Sequence, residues 1–221
     1  MASDSQKAYE TLKHRIVAGY YKPGTQLKEE PLAEEFAISR TPVRAALRRL
    51  VEDGLAGAQA GKGVHVAAWT RWDIEEVFQL RLRLEPFSAQ LAAERRSEEA
   101  LRELEASNEQ MRQAIQAGGP QVGEKAQAAN RVFHQTLLRA SGSHRLRAIL
   151  ETMIDMPIVV RAFHLYSRDE MLQSLGHHQE LAAAVRERDG ALAHEIMQLH
   201  LMVSWRRFMK ARKEDAGPAG S

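Results

Sequence analysis

The chain has 221 residues, of which 44% are hydrophobic and 27% charged, and its formal net charge is +2. This composition is that of a globular protein with room for two modest domains. Cysteine is absent, which excludes disulfides and cysteine-ligated metals, and no apolar run approaches the ~20 residues of a membrane span. The polar start, Met1 to Lys7, lacks the apolar core of a signal peptide, so we expect a cytoplasmic protein.

The excess positive charge lies at the N-terminal end. The first 70 residues contain ten Lys and Arg against eight Asp and Glu, whereas the remainder is balanced. Because the total charge is small, an argument for nucleic-acid binding depends on how the basic residues cluster.

The first 70 residues predict three helices followed by a β-hairpin. Apolar spacing and breakers place helices at about 8–18 and 27–38, a third helix from Ser39 to Gly54, and strands at about 55–60 and 64–69. Ser39 suits the N-cap of the third helix. This order is that of a winged helix-turn-helix.

The third helix carries four arginines and no acid in its first three turns. Arg40, Arg44 and Arg48 share one face, and the opposite face is an apolar stripe formed by Val43, Leu47 and Leu50. Such a helix can be anchored on one side and meet phosphate with the other. The alternative is an ordinary surface helix with solvated arginines.

This N-terminal part resembles the DNA-binding domain of the GntR family of bacterial transcription regulators. The matching residues are Ile16, Gly19, Pro23-Gly24, Leu27, Leu32-Ala33, Ser39-Arg40-Thr41-Pro42-Val43-Arg44, Ala46-Leu47, Leu50, Gly54-Leu55, Gly61 and Val66. Ala45 departs from the glutamate that is usual in the family.

The resemblance implies that the third helix enters the major groove and that the wing approaches the minor groove. Arginine can pair with guanine through two hydrogen bonds, so Arg40 and Arg44 are candidates for base contacts. Phosphate contacts are expected from Ser39, Thr41, Arg48 and Arg49. At the wing tip, Gly61 would let the backbone come close to the minor groove and Lys62 would supply charge. For Arg48 and Arg49, plain solvation is the alternative.

From Asp73 onward the periodicity is helical, which predicts an all-α antiparallel bundle of six to seven helices. The predicted helices are 73–95, 98–117, 122–141, 144–165, 168–188 and 190–212. Ser97 and Ser167 are predicted N-caps, and Pro86 and Pro157 should kink or interrupt their helices. The expected domains are therefore 1–70 and 71–212, followed by a disordered tail at 213–221.

The second part resembles the helical effector domain, called FCD, of the FadR-type branch of the same family. The matching residues are Arg81, Leu84-Glu85, Leu91-Ala92-Ala93, Phe133-His134, His178, Leu181, Ala184-Val185, Asp189 and His200. Many members of this branch bind a divalent metal through one Asp and three His. The resemblance maps these ligands onto Asn130, His134, His178 and His200, with His177 as an alternative, and implies a metal such as Zn, Ni or Mn.

The asparagine at position 130 weakens the predicted metal site because Asn brings an oxygen but no charge. Four neutral ligands would leave the +2 charge of the ion uncompensated, which favours an anionic effector. We therefore expect a small carboxylate, assisted by Arg81 or Arg161. His144, His164 and His194 are given no role.

These expectations describe a homodimeric regulator, more specifically a repressor, that binds an inverted-repeat operator and responds to an organic acid. Two alternatives belong to other classes. A metal-dependent enzyme could use the histidines, but the sequence contains no HExxH motif and the arginine helix would be unexplained. A sequence-indifferent architectural DNA-binding protein would not need a histidine-lined bundle.

Overall fold

The computed structural model describes residues 3–17, 19–59, 61–68, 71–154 and 166–215. The chain divides close to Ile74 into two compact units, and each is described by itself. Within the described ranges there are nine helices and three short strands.

The first unit contains three helices and a small antiparallel sheet. The helices are α1 (Asp4–Val17), α2 (Glu29–Glu35) and α3 (Arg40–Glu52), and the strands are β1 (Gln26–Leu27), β2 (Ala56–Gln59) and β3 (Gly63–Val66). The strand order is β1-β3-β2, with Gln26 opposite His65 and Ala56 opposite Val66. The predicted winged helix-turn-helix fold is confirmed, with β1 as an additional strand.

The core of this unit is formed by the apolar positions that the sequence indicates. Leu12 and Ile16 of α1 and Leu47 and Leu50 of α3 are almost completely buried in one cluster with Leu27 of β1. Burial of such side chains stabilises a fold by roughly 1.5–3 kcal/mol each. The cluster therefore fixes which face of α3 points outward.

The second unit is a bundle of the remaining six helices. They are α4 (Arg71–Arg95), α5 (Glu98–Ala117), α6 (Val122–Ala140), α7 (His144–Ile154), α8 (Arg168–Glu187) and α9 (Gly190–Asp215). Ser97 caps α5 by accepting a hydrogen bond from the Ala100 amide, and Ser167 forms a capping box with Glu170 at the start of α8. Both predicted caps are present.

Two predictions about the helices have an outcome in the structure, and a third falls outside the described residues. Helix α4 continues through Pro86, so the predicted break is absent there, while the kink that was its alternative stays a prediction. Helix α9 extends to Asp215, which places residues 213–215 in a helix rather than in the predicted tail, and 216–221 lie outside the described residues. The second half of the predicted 144–165 helix, including Pro157, is also outside them.

Helix directions in the bundle follow from contacts near the helix ends. The ring centroids of Phe78 on α4 and Phe208 on α9 are 5.7 Å apart, while Gly190 at the start of α9 lies against Gln90 of α4. Arg207 of α9 donates to the backbone carbonyl of Glu170, near the start of α8. Helix α9 therefore runs antiparallel to both α4 and α8.

Helix α6 runs in the same direction as α8. Residues in the first half of α6 share one apolar cluster with residues in the first half of α8, and residues near the ends of the two helices share another. The first cluster includes Ala126, Ala129, Met171 and Leu175, and the second includes Leu137, Leu181 and Val185. Across the described ranges, no helix combines the length and apolar character that crossing a membrane requires.

Candidate nucleic-acid interface and metal centre

Helix α3 presents a basic face to solvent. Arg40, Arg44 and Arg48 are exposed, whereas Val43 and Leu47 on the opposite face are buried in the core of the first unit. The predicted division of this helix into an anchored face and a basic face is therefore confirmed. The free face carries three guanidinium groups at helical spacing, an arrangement suited to a polyanion.

Two of these arginines contact an acidic residue on the preceding helix. Arg44 donates from Nε to Oε1 and from Nη2 to Oε2 of Glu29, each at 2.8 Å, and Nη2 of Arg40 lies 3.4 Å from Oε2. Hydrogen bonds from Arg44 lower the pKa of Glu29, which keeps its carboxylate ionised. Glu29 is thus the acid that faces the basic surface.

Arg49 belongs to a different face of α3 from the other three arginines. Its guanidinium lies 3.9 Å from the centre of the Tyr9 ring on α1, and its Nη1 donates to the side chain of Gln6 at 2.5 Å. The structure therefore gives Arg49 a packing role between two helices, which differs from the phosphate contact expected for it.

The helix N-terminus and the wing hold the remaining DNA-binding candidates. Ser39 occupies the predicted N-cap position with extended backbone, but its side chain makes no capping hydrogen bond. Thr41 is exposed in the first turn of α3. Gly61 has a φ of +75°, a conformation that residues with a Cβ rarely adopt, and the carbonyl of Lys62 accepts a hydrogen bond from Gln26 at 2.7 Å. That bond attaches the wing to β1.

Three histidines meet in the centre of the second unit. His134 of α6, His178 of α8 and His200 of α9 are buried, and their candidate ligand nitrogens lie within 4.8 Å of one another. The ring centroids are separated by 4.9 to 5.3 Å. These are the three histidines that the sequence resemblance implies, and the structure brings them together.

The environment keeps two of these rings neutral. Burial lowers the pKa of His178 and of His200 well below the usual value, and the neighbouring histidines lower both further. Neither nitrogen of His178 has a hydrogen-bond partner among the described residues, and neither has Nδ1 of His200. Neutral imidazole with an unshared lone pair is the form that binds metal.

Glu85 of α4 sets the orientation of His134. Its Oε2 lies 2.9 Å from Nδ1 of His134, and its Oε1 accepts a hydrogen bond from Nε of Arg81 at 2.5 Å. Burial alone would raise the Glu85 pKa, but Arg81 and His134 together lower it to about 2. The ionised carboxylate accepts a hydrogen bond from Nδ1–H of His134, which leaves the lone pair of Nε2 available to a ligand.

The pairing of Glu85 with Arg81 leaves the net charge around the three histidines unchanged. An ionised Glu85 stands behind His134, but the charge of Arg81 balances it, so the pair adds no net charge. Arg81, predicted as an effector contact, uses its Nε on Glu85. Arg161, the other predicted contact, lies outside the described residues.

A second polar level lies one helical turn from the histidines. Arg81, Asn130 and Ser174 each precede by four residues the site residue of their own helix, and Ser204 follows His200 by four. Because α9 runs opposite to α4, α6 and α8, all four positions are displaced toward the same end of the bundle. Ser174 is 1% exposed, and its hydroxyl has no hydrogen-bond partner among the described residues.

The donor set fits a divalent transition metal. Three imidazoles from three helices converge, one of them held by a carboxylate, as is usual for metal-binding histidines. Two nitrogens on one such ion lie at most about 4.2 Å apart, so small ring movements would complete the contacts. Asn130 is half-buried one turn from His134 and could add an oxygen. His177 is buried next to His178, but its ring does not belong to the cluster of three.

Sequence reasoning missed three residues of these sites. Glu29 and Ser174 carry no local signal, because each is defined by what lies beside it in space. Glu85 offers one weak signal, namely its spacing of four residues from Arg81 on a predicted helix. That spacing usually means a surface ion pair rather than a buried one.

Comparison with known protein families decides the identity of the chain. Residues 4–66 match the gntR family of bacterial regulatory proteins, and residues 76–202 match the FCD domain family. The chain belongs to the GntR family of transcription regulators. The matches agree with the winged unit and the helical bundle described above.

Relatives of this GntR protein align along most of its length. It is 30% identical to the uncharacterized regulator YdhC of Bacillus subtilis, with 87% of this chain and 85% of that protein covered. It is 29% identical to the transcriptional repressor GlaR of Escherichia coli, with 91% and 94% covered. Among solved structures, E. coli McbR/YncC superimposes with a TM-score of 0.75 at 26% identity, with 94% and 100% covered.

Relatives and domain families alike are transcription regulators rather than enzymes. The prediction that the chain is not an enzyme is confirmed by its family.

Proposed function

We propose that this GntR-family regulator is a metabolite-responsive repressor that binds an inverted-repeat operator as a homodimer. Residues 1–70 would contact DNA, and residues 71–212 would bind the effector and dimerise. Two-fold symmetry in the protein would require two-fold symmetry in the operator. Its relative GlaR is named a repressor, which supports the direction of regulation.

The DNA-binding half of the proposal is supported by the basic face of α3. Arg40 and Arg44 would contact bases, and Ser39, Thr41 and Arg48 would contact phosphate. The wing residues Gly61 and Lys62 would approach the minor groove. Binding to a palindromic duplex in gel shifts, weakened by about 1–3 kcal/mol in Arg44→Ala, is the expected result. Binding that is equal on all sequences would instead favour an architectural DNA-binding protein.

The sensing half is carried by one observation, the buried cluster of His134, His178 and His200 with Glu85 behind it. When bound, a divalent metal would attract a carboxylate to its open positions. The polar level formed by Arg81, Asn130, Ser174 and Ser204 would surround the rest of the effector. A small organic acid with hydrogen-bonding groups suits such a lining, since buried polar groups favour ligands that satisfy them.

Elemental analysis tests the metal. After gentle purification we expect about one transition-metal ion per chain in the wild type, with loss of the ion in His134→Ala and His178→Ala. His194→Ala, which changes a histidine outside the cluster, is the matched control. A metal-free wild type that still responds to its effector would remove the metal from the proposal.

A thermal-shift screen of organic acids, with and without divalent metals, tests the effector. A ligand of the folded state raises the melting temperature by mass action. We expect acids that shift the wild type only when metal is present. Stabilisation that is identical in His178→Ala would place the ligand elsewhere.

A further inference from the structure

Glu29 stands against the basic face of α3 in an arrangement that suits DNA reading. Resting on the proposed DNA-binding function, we propose that Glu29 is a positioning residue that holds Arg44 in the orientation needed to pair with a guanine. It would act through Arg44 and would not itself contact a base.

The hydrogen-bonding inventory of Arg44 makes the two contacts compatible. Glu29 uses the Nε proton and one proton of Nη2, at 2.8 Å each. Of the five guanidinium protons, two on Nη1 and one on Nη2 remain. These lie at the outer end of the group, where two parallel donors can reach O6 and N7 of guanine.

The solvent exposure of Arg44 and Glu29 indicates that their ion pair contributes little to the stability of the fold. The Arg44 side chain is 59% exposed and that of Glu29 is 25% exposed, and ion pairs this open to solvent add little stability. The pair does restrict a long side chain before DNA arrives. Such preorganisation reduces the conformational entropy that Arg44 loses on binding. The gain applies only to DNA sites where the orientation of Arg44 matches a base.

The charge of Glu29 acts in the opposite direction on DNA in general. A carboxylate beside the basic face repels phosphates of every sequence, so it lowers non-specific affinity. Together with the orientation of Arg44, this repulsion increases the ratio of specific to non-specific binding. Glu29 would therefore lower the affinity for DNA in general and increase the discrimination between the operator and other sequences.

The experiment selects binding sites from a random duplex library with the wild-type chain and with Glu29→Gln, Glu30→Gln and Arg44→Ala. Glu30→Gln is the matched control, since it removes the same charge from the next, exposed residue of α2. We expect the wild type to require guanine at one position of each half-site and Arg44→Ala to lose this preference by roughly fivefold or more. Glu29→Gln should weaken the same preference about two- to fivefold, while its binding to non-specific DNA rises.

A double variant separates positioning from general effects. In the Arg44→Ala background, Glu29→Gln should no longer weaken the guanine preference assigned to Arg44, because its target is missing, and any remaining change would come through Arg40, which lies 3.4 Å from Glu29. A Glu29→Gln preference equal to that of Glu30→Gln, or sharper than that of the wild type, overturns the positioning role. A wild type that selects no sequence overturns both this role and the proposed function, and melting temperatures confirm that all variants are folded.

Discussion

Glu85 joins Arg81 to His134 in a buried chain of three polar residues. Replacing it by glutamine leaves the buried charge of Arg81 without an anion, which costs about 3 kcal/mol or more of the free energy of unfolding. Urea denaturation of Glu85→Gln measures this loss. Glu103→Gln, which breaks the exposed ion pair with Arg139, should cost less than about 1 kcal/mol. Equal losses in the two variants would contradict the account of the site.

The metal-free protein should lose stability as the pH falls below 7. His178 and His200 resist protonation in the fold, so the unfolded chain binds more protons below its histidine pKa near 6.5. The free energy of unfolding should then fall by up to about 1.4 kcal/mol per pH unit for each histidine. Glu85, with its pKa of about 2, loses its contribution only below pH 4.5.

Chemical denaturation between pH 5 and 8 in the presence of a chelator measures this slope. His178→Leu should remove the contribution of one histidine to this slope, so the free energy of unfolding should change less with pH. A wild-type profile without slope in this window would mean that the rings accept protons in the folded state.

Asn130 tests the electrostatics of the proposed metal. Asn130→Asp adds a negative charge one turn from His134, which should tighten metal binding at least tenfold, or by about 1.4 kcal/mol. Competition with a chelator of known affinity gives the change. Ser174→Asp, which adds the same charge on α8, is the comparison. An unchanged affinity in Asn130→Asp would place residue 130 outside the coordination sphere.

Two faces of helix α3 have different roles, and substitutions of Arg48 and Arg49 test them separately. Arg48 lies on the basic face, and Arg49 packs against Tyr9 of α1. Arg48→Ala should weaken DNA binding on all sequences and reduce the slope of log affinity against log salt by about one. Arg49→Ala should leave that slope unchanged and lower stability by about 0.5–1 kcal/mol, because it removes the contact with Tyr9. Binding titrations at several salt concentrations and thermal melts distinguish them. A changed salt slope in Arg49→Ala would restore its predicted phosphate contact.

Local signals predicted most of the elements, and non-local pairing explains the exceptions. Ser97 and the Ser167 capping box mark the starts of α5 and α8 because their hydrogen bonds involve neighbouring residues. Strand β1 has two residues and exists through its pairing with β3, which no periodicity reveals. The continuity of α4 through Pro86 also depends on non-local contacts. Proline has no backbone N–H to donate, and packing on neighbouring helices offsets this missing hydrogen bond.

At the site, the histidines could be predicted because the family resemblance assigned them, and their depth in the bundle follows from helical spacing. Glu85 and Ser174 could not be, because a carboxylate or hydroxyl has no helical signature that separates a buried position from a surface one. The Glu29 contact with Arg44 joins two helices and depends on the turn between them.

The whole molecule contains two units whose proposed ligands must be coupled for regulation. Effector binding should change operator affinity by a coupling of typically 1–3 kcal/mol, or about 5- to 150-fold. Linkage requires that the operator changes effector affinity by the same factor. Fluorescence anisotropy with labelled operator, and calorimetry of the effector with and without it, measure both sides. Unequal factors would indicate a different binding stoichiometry.

The histidines and the polar level beside them separate the two apolar clusters of the bundle. Beyond the histidines, on the side away from the polar level, the interior is a continuous apolar cluster that includes Ala89, Phe133 and Leu181. Evolution, or an engineer building a biosensor, could therefore vary Asn130, Ser174 and Ser204 to accept new metabolites, whereas Arg81 is constrained as the partner of the buried Glu85. The two apolar clusters would keep the scaffold folded while the sensor acquires new chemistry.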